Sequence, residues 1–479
     1  MASIIQELHQ KLVNKEISCQ SLVQQKLDAL KSSDLNSANY ILDEYAINLA
    51  KKVDAKIANG ETIGVLEGIP FGVKDVYLLQ GTYSSASSDF LKKYKSPYTA
   101  TAIQKLLDAG AIPVVKENCD SFGHGSSSEN TVFGAVKNAL DANKVAGGSS
   151  GGSAVNVAKD FTAFSIGGDT GGSIRQPASH CGVVGFKPSY GRVSRYGLVA
   201  FASSLDQIGP LTKSVTDAAL LTNVLSGHDP MDSTSLNAPV EDYTSGINEG
   251  VKGKKIGVPK EYLSGEIHPE VKSNVEQAIN ALQDAGAEVV EVSLPHTKYC
   301  VPTYYILAPA EASSNLSRFD GVRYGSRSEN VTDVLSMYEN SREEGFGPEV
   351  KRRILLGTYV LSSGYYDAYY IKAQKVRTLI KQDFQTVFDE VDALIAPVSP
   401  DPARRISEGV EDPLKEYLAD IFTIGANLAG IPAISVPCGT AEKDGKDLPV
   451  GLQILGPHMG DKTVLQVAKA WENLREDTV

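Results

Sequence analysis

The 479-residue sequence lacks three features that would assign it to a special class of protein. It has no run of about 18 apolar residues, so we expect no membrane-spanning helix and no membrane partner. Its five cysteines form no C-x-x-C pair, which argues against the common zinc and redox motifs and favours buried thiols. It also has no basic excess: the formal net charge is −12. Because phosphate binding depends on Lys and Arg, we do not expect this chain alone to hold nucleic acid.

The start of the chain, MASIIQELHQKL, has neither a secretory nor an organellar leader pattern, so we expect a cytoplasmic protein. With 42% hydrophobic residues, the chain can form a large core. No Ser-, Gly- or Pro-rich linker interrupts it, and we predict one domain over residues 1–479. Within it, 1–60 form a helical N-terminal arm, 61–212 form a core that carries the catalytic residues, and 213–479 supply the rest of the sheet and a helical substrate-pocket region.

Short apolar runs alternate with helical periodicity along most of the chain. This alternation predicts an α/β fold with a mixed, mostly parallel central sheet that helices cover on both faces. The segment 254–295 has the pattern strand, helix, strand and predicts a βαβ unit. The Tyr-rich stretch 300–390 is predicted to be mainly helical. Four runs in the first half predict buried strands: 68–79, 111–118, 161–166 and 182–188.

Two serine-bearing glycine clusters, GGSSGGS at 147–153 and GGDTGGS at 167–173, require an explanation. A phosphate-binding loop is weakly supported, because neither G-x-x-x-x-G-K-[ST] nor G-x-G-x-x-G at the start of a βαβ unit is present. Residues 147–151 do satisfy the G-x-S-x-G pattern of the α/β-hydrolase elbow. However, the preceding residues, NALDANKVA, are polar where that elbow needs a buried strand.

A third explanation uses a serine nucleophile with a lysine base. Lys74 lies in the apolar run GIPFGVKDVYLL, where burial would lower its pKa and leave it neutral. A simple ion pair with Asp75 is the competing interpretation. In the second glycine cluster the N–H groups of Thr170, Gly171 and Gly172 could stabilise an oxyanion beside a nucleophile at Ser173. Ser149 could then relay the proton from Ser173 to Lys74.

These residues carry a family resemblance. The stretch 147–197, GGSSGGSAVNVAKDFTAFSIGGDTGGSIRQPASHCGVVGFKPSYGRVSRYG, together with the upstream GVKD, resembles the amidase signature. The resemblance implies a Ser-cisSer-Lys triad in which Ser173 is the acyl-forming nucleophile, Ser149 the relay with a cis peptide bond, and Lys74 the base.

Within the family, the chain is similar to the glutaminase subunits of tRNA-dependent amidotransferases over nearly its full length. Segments such as 193–221 and 420–439 carry this similarity. It implies a glutamine pocket in which Arg353 holds the α-carboxylate, Asp420 takes the α-amino group and Tyr304 helps to close the site. Planar guanidinium groups suit bidentate carboxylate binding.

The same similarity implies a heterotrimer. This chain would release ammonia from glutamine for the conversion of Glu-tRNA(Gln) to Gln-tRNA(Gln), with companion subunits B and C. ATP and Mg would bind the partner subunit, which would also hold most of the tRNA, and this chain would need no cofactor or metal. Two alternatives stay open: a free-standing amidase acting on small or aryl amides, and an inactive scaffold.

The sequence departs from the usual pattern of the family at CDSFGHGSSSEN, residues 119–130. Many relatives have an acidic residue and then Ala-Met there, whereas this chain has Ser121, Gly123 and His124. These residues are expected near the pocket. They leave the triad intact and change the details of the pocket.

Overall fold

The computed structural model describes residues 2–408, 417 and 419–476. Within this part of the chain, eleven strands form one sheet. Numbered in chain order, they are β1 Ala38–Ile41, β2 Pro70–Lys74, β3 Ile112–Glu117, β4 Phe164–Asp169, β5 Val184–Lys187, β6 Gln207–Thr212, β7 Lys255–Pro259, β8 Glu288–Val292, β9 Ala393–Pro397, β10 Ala433–Lys443 and β11 Lys446–Leu455.

The strand order is β1-β3-β2-β4-β6-β5-β10-β11-β9-β7-β8. Parallel pairs lie on the two sides of the sheet, where β2 pairs with β3 and β4, and β7 pairs with β8 and β9. The middle of the sheet, from β4 through β6, β5, β10 and β11 to β9, is antiparallel, and so is the edge pair of β1 and β3. The predicted α/β fold with a mixed sheet is confirmed, and β7, its helix and β8 form the predicted βαβ unit.

Several of the helices begin at residues with identifiable capping chemistry. Ser3, Ser18 and Ser214 each accept a hydrogen bond from a first-turn N–H, and Pro269 and Pro348 begin two others. The helices are Ile4–Val13, Cys19–Ser32, Asp43–Ala58, Thr101–Asp108, Gly151–Ala158, Arg175–Cys181, Val215–Leu225, Lys260–Leu263, Pro269–Asp284, Cys300–Asn315, Val334–Gly345, Pro348–Leu361, Lys372–Phe388, Ile424–Ala429 and Asp461–Glu476. Short 3₁₀ turns occupy Ser121–Gly123, Thr297–Tyr299 and Leu316–Arg318, and a π-helical turn occupies Tyr366–Ile371.

Helices cover both faces of the sheet, as β9 illustrates. Successive side chains of a strand point to opposite faces. Ala393 and Ile395 pack with the helices 215–225, 269–284 and 461–476. Leu394 and Ala396 pack instead with the helices 300–315, 372–388 and 424–429. Because both sets are buried, the strand has no solvent-exposed face.

The N-terminal arm packs on the core. Ile5, Leu12 and Leu22 belong to the same apolar cluster as Phe71 of β2. The Asp217 carboxylate accepts the N–H of Ile4 at 3.0 Å, which attaches the first helix to the helix 215–225. The segment 1–60 is not wholly helical, because β1 lies between its second and third helices. All five cysteines are free and buried, as expected. No helix in the described part of the chain is both long enough and apolar enough to cross a membrane.

Candidate active site

Lys74 is the last residue of β2 and is only 2% exposed. Its Nζ lies within hydrogen-bond distance of Ser149 Oγ at 2.7 Å, Ser150 Oγ at 2.9 Å and the Gly168 carbonyl at 3.3 Å. Asp75 does not pair with it; that carboxylate lies 3.2 Å from Lys116 Nζ, which is also fully buried. Among the described residues Lys74 makes no ion pair within 4.0 Å, so the competing ion-pair interpretation of this lysine is wrong.

The environment of Lys74 favours the neutral amine. Burial lowers its pKa from the ordinary value, because desolvation penalises the ammonium form. The nearby Cys119 and Asp120 act in the opposite direction but are outweighed. A neutral amine beside two hydroxyls can accept a proton at physiological pH.

The first glycine cluster brings Ser149 to the lysine. The peptide bond between Gly148 and Ser149 is cis, as the resemblance implies. The Gly148 N–H donates to Gln176 Oε1 at 2.8 Å. A Cβ at residue 148 would lie 2.2 Å from a carboxylate oxygen of Asp120. Glycine is therefore required here because the buried carboxylate approaches the backbone closely.

Asp169, the last residue of β4, holds the second glycine cluster in place. Its carboxylate accepts the N–H of Gly172 at 2.9 Å and of Ile174 at 3.1 Å, and pairs with Arg175 at 2.9 Å. Burial alone would raise the pKa of Asp169, but the Arg175 guanidinium holds it well below its usual range. This ionised carboxylate fixes the turn that carries Ser173.

A backbone hydrogen bond joins the two clusters. The N–H of Ser150 donates to the carbonyl of Ser173 at 3.1 Å. Ser149 and Ser173 therefore lie in directly contacting loops, and Ser173 is 8% exposed. The structure thus brings Lys74, Ser149 and the Ser173 loop to one place, while the catalytic roles of these residues stay predictions.

The three predicted oxyanion donors differ in their surroundings. The Gly172 N–H already donates to Asp169, so in this conformation it is not free for a substrate oxygen. The Gly171 carbonyl accepts from Thr423 Oγ1 at 2.6 Å, and the Thr170 hydroxyl donates to Asp206 at 2.7 Å. These two contacts use the carbonyl of Gly171 and the hydroxyl of Thr170, and neither uses the N–H group of its residue. The N–H groups of Thr170 and Gly171 therefore stay the candidate donors.

A small cavity adjoins these groups. Lys74, Ser149, Gly168 and Thr170 line its polar side. Its other wall comes from Val76, Phe122, Gly123, Leu198, Val199 and Phe201. A hydroxyl or carbonyl in this cavity would be largely removed from water, which strengthens any electrostatic interaction within it.

The predicted glutamine residues come from three separate segments. Tyr304 lies on the helix 300–315 and is 3% exposed. A Cβ on Gly171 would be 2.7 Å from the Tyr304 hydroxyl, so this ring lies directly against the Ser173 loop. Arg353 lies on the helix 348–361, is 5% exposed and donates from Nε to Glu349 at 2.7 Å.

Asp420 is also buried, and burial raises its pKa to about 7 although Arg353 opposes the shift. Tyr305 links the two charges. Its hydroxyl donates to Asp420 at 3.4 Å, and its ring lies 5.6 Å from the Arg353 guanidinium carbon. The structure thus brings a buried cation and a buried carboxyl group together near the Ser173 loop.

Sequence reasoning missed Glu349, Tyr305 and Tyr417, which surround Arg353. Glu349 could have been found, because a glutamate four residues before an arginine on a helix predicts a side-chain pair. The tyrosines carry no such signal, since an aromatic residue on a helix is most often a core residue. In the described part of the chain, no group of three or more His, Cys, Asp or Glu side chains could hold a metal ion.

A sequence model of the amidase family matches residues 21–465. The chain belongs to the amidase family. Curated relatives of this amidase include the A subunit of glutamyl-tRNA(Gln) amidotransferase from Geobacter sp. (strain M21), which is 52% identical over 98% of this chain and 96% of the relative. The protein of the same name from Halalkalibacterium halodurans is 53% identical with the same coverage.

Solved structures of other amidases have the same fold. The protein of that same name from Thermotoga maritima is 42% identical and superposes with a TM-score of 0.79, covering 95% of this chain and 91% of that one. The peptide amidase from Stenotrophomonas maltophilia is 28% identical with a TM-score of 0.82, covering 98% and 96%. The fold is therefore common to amidases of different substrates, and the pocket residues must decide the substrate.

Proposed function

We propose that this amidase is the glutamine-hydrolysing subunit of a glutamyl-tRNA(Gln) amidotransferase. It releases ammonia from free glutamine, and the ammonia converts Glu-tRNA(Gln) to Gln-tRNA(Gln). The observation that carries the proposal is the buried pair of Arg353 and Asp420 beside the loop of Ser173. A zwitterionic amino acid needs these two opposite charges, and a simple amide needs neither.

The chemistry is an acyl transfer through serine. Neutral Lys74 takes the proton of Ser149, which takes the proton of Ser173 as its oxygen attacks the carboxamide carbon. The developing oxyanion is stabilised by the N–H groups of Thr170 and Gly171. The C–N bond breaks, and the proton returns through the relay to the leaving ammonia. Water then attacks the acyl-enzyme by the same route and releases glutamate.

The pocket binds the other end of glutamine. Arg353 binds the α-carboxylate, and its raised pKa keeps it charged: burial would lower that pKa, but Tyr305 and Glu349 outweigh it. Asp420 pairs with the α-ammonium group. A carboxyl with a pKa of about 7 is partly protonated in the empty pocket, and the incoming cation favours its ionised form. Tyr304 closes the site over Gly171.

The chain acts in a heterotrimer with subunits B and C in the cytoplasm. Its acidic character, with a formal net charge of −12, agrees with a tRNA held mainly by a partner subunit. ATP and Mg, which activate the glutamyl ester, belong to the partner as well. The inactive-scaffold alternative is not favoured, because a scaffold does not need a buried amine bonded to two serine hydroxyls.

The decisive experiment is Ser173→Ala in the reconstituted complex. We expect amidation of charged tRNA to be lost with glutamine as donor and retained with ammonium, because ammonium bypasses the hydrolytic step. The ammonium reaction is the internal control for folding and assembly. Undiminished glutamine-dependent amidation by the variant would refute the serine mechanism and favour the inactive-scaffold alternative.

The free-standing amidase alternative is tested by substrate choice. Curated relatives at 52–53% identity are amidotransferase subunits, whereas the peptide amidase is 28% identical. We expect the wild-type chain to hydrolyse glutamine well above small aryl amides of similar reactivity. A preference for the aryl amides, together with no effect of subunits B and C, would favour the alternative.

A further inference from the structure

His124 is a buried side chain that the proposed mechanism does not use. It follows the short turn Ser121–Gly123 and is 0% exposed. Its Nδ1 lies 2.9 Å from the Phe122 carbonyl, which can only accept a hydrogen bond, so Nδ1 carries the hydrogen. The lone pair is therefore on Nε2.

The Nε2 atom is buried and has no hydrogen-bond partner among the residues that the structure describes. Burial lowers the pKa of His124 well below its usual range, and the positive charge of Arg353 lowers it further, so the ring stays neutral. Leaving a buried acceptor without a donor is unfavourable. A ligand that brings a donor to Nε2 would recover this free energy.

The position of the ring identifies which part of a ligand can reach it. The His124 ring lies 3.9 Å from the ring of Phe201, and Phe201 lies 5.5 Å from the Arg353 guanidinium carbon. Phe201 also lines the cavity that contains Ser149 and Thr170. His124 thus lies beside Phe201, whose ring also faces the Arg353 guanidinium, and it follows Gly123, which lines the same cavity.

Only two groups of glutamine have N–H donors: the carboxamide, which must lie at Ser173, and the α-ammonium, one carbon away from the carboxylate on Arg353. We infer that His124 Nε2 accepts a hydrogen bond from the α-ammonium group of the substrate and, together with Asp420, selects α-amino acid amides over des-amino amides. This inference rests on the proposed glutaminase function and assigns His124 a role in substrate specificity.

The test compares two substrates on three forms of the enzyme. Glutamine and glutaramate, which is glutamine without its α-amino group, are hydrolysed by the wild type, His124→Met and His124→Gln. Met has a similar volume without an acceptor at Nε2, and Gln retains an acceptor oxygen. For His124→Met we expect kcat/KM for glutamine to fall roughly 10- to 100-fold, mainly through KM, because a hydrogen bond to a charged group is lost. Glutaramate hydrolysis should change less than about 3-fold, and His124→Gln should recover part of the preference.

An equal loss for both substrates would overturn the inference, because it would mean that His124 only packs the pocket or contacts the carboxylate. An unchanged preference for glutamine would overturn it as well. Retained glutaramate hydrolysis reports on folding in the same assay, and if His124→Met does not fold, the preference of His124→Gln decides. Failure of the wild type to hydrolyse glutamine would instead refute the proposed function, so the two failures are distinguishable.

Discussion

Lys74 Nζ is the atom that must change protonation state in the proposed chemistry. Because its pKa is lowered by burial, the active neutral form increases as pH rises through a value below the ordinary 10.5 of lysine. We expect kcat to rise with pH and reach a plateau, and Lys74→Arg to lose about 10²- to 10⁴-fold because a guanidinium does not deprotonate. Glutaminase pH profiles measure this.

Four other buried groups near the site also have shifted pKa values, because burial raises the pKa values of Asp420 and Glu117 to about 7 and those of Asp120 and Asp206 to about 6. Measurements at saturating glutamine help to distinguish the titration of Lys74 from that of Asp420. Ionisation of Asp420 should change kcat/KM, whereas ionisation of Lys74 should change kcat as well. A pH-independent kcat, or an active Lys74→Arg variant, would argue against the amine as base.

Arg353 should act on binding rather than on the acyl transfer itself. Arg353→Ala removes the partner of the α-carboxylate, and we expect KM for glutamine to rise at least 10-fold with a smaller change in kcat. Arg353→Lys is the matched control, because it keeps the charge and loses the planar bidentate fork. It should lie between the wild type and Arg353→Ala. An unchanged KM in both variants would contradict the proposal that Arg353 binds the α-carboxylate of glutamine.

The ionisation of the buried Glu117 carboxyl should make the free energy of unfolding depend on pH. Its carboxyl is fully buried and accepts hydrogen bonds from Ser153, Ser165 and Asn156. Burial raises its folded-state pKa to about 7, against 4.5 as the ordinary value. Between these values the unfolded chain ionises while the folded chain keeps its proton, so stability falls as pH rises, by up to about 1.4 kcal/mol per unit.

Glu117→Gln removes this ionisation. From pH 5 to pH 8, we expect the wild type to lose about 2–3 kcal/mol of unfolding free energy relative to the variant. Denaturant unfolding of both proteins at the two pH values measures the difference. If the two proteins show the same pH dependence, Glu117 is ionised in the folded state and the assignment is incorrect.

At the scale of elements, local sequence patterns were sufficient for most strands and long helices. The 3.6-residue periodicity predicted the helix Pro269–Asp284, and the apolar run 68–79 predicted β2, although that strand ends five residues earlier, at Lys74. Local patterns could not predict β1 within the N-terminal arm, because its four residues are all only partly buried. Nor could they predict that Asp169 takes the Gly172 N–H, since that contact depends on the shape of the folded turn.

The helices that carry Tyr304 and Arg353 approach each other at a glycine. A Cβ at Gly357 would lie 1.9 Å from the Pro309 carbonyl oxygen, which is backbone and cannot move aside. Gly357→Ala should therefore push the two helices apart. We expect it to destabilise the protein by about 1–3 kcal/mol despite the better helix propensity of alanine, and to raise KM for glutamine.

The control for this variant is Gly347→Ala, at the start of the same helix, where an added Cβ meets nothing within 4 Å. Thermal unfolding and glutaminase kinetics of both variants test the close approach. A Gly357→Ala protein as stable and active as Gly347→Ala would show that the helices are not held at this distance in solution.

At the scale of the whole molecule, the strand order connects distant parts of the sequence. β5, at 184–187, pairs with β10, at 433–443, so the middle of the sheet needs both halves of the chain. Sequence periodicity identifies strands but not their partners, and the predicted single domain over 1–479 rested on the lack of a linker. A cut near residue 212 would leave β1–β6 and β7–β11 as two unbroken blocks of strands, and it would break the pairing of β5 with β10 that joins them.

Hydrogen bonds of Arg175 also join the two halves of the chain. Its guanidinium is 0% exposed and donates to Gln453 at 2.6 Å, to Asn427 at 2.6 Å and to the Thr423 carbonyl at 3.0 Å, all from the C-terminal half. A fragment 1–212 would lose these partners, leave the β5 edge unpaired and expose to water the apolar side chains of Val184, Phe186 and Phe201, which pack on the C-terminal half. Exposing buried apolar surface and an unpaired strand edge is unfavourable. We therefore expect fragments 1–212 and 213–479 not to fold separately, and the intact chain to unfold in one calorimetric transition. Two resolved transitions, or a separately folded fragment with dispersed amide resonances, would contradict a single cooperative domain.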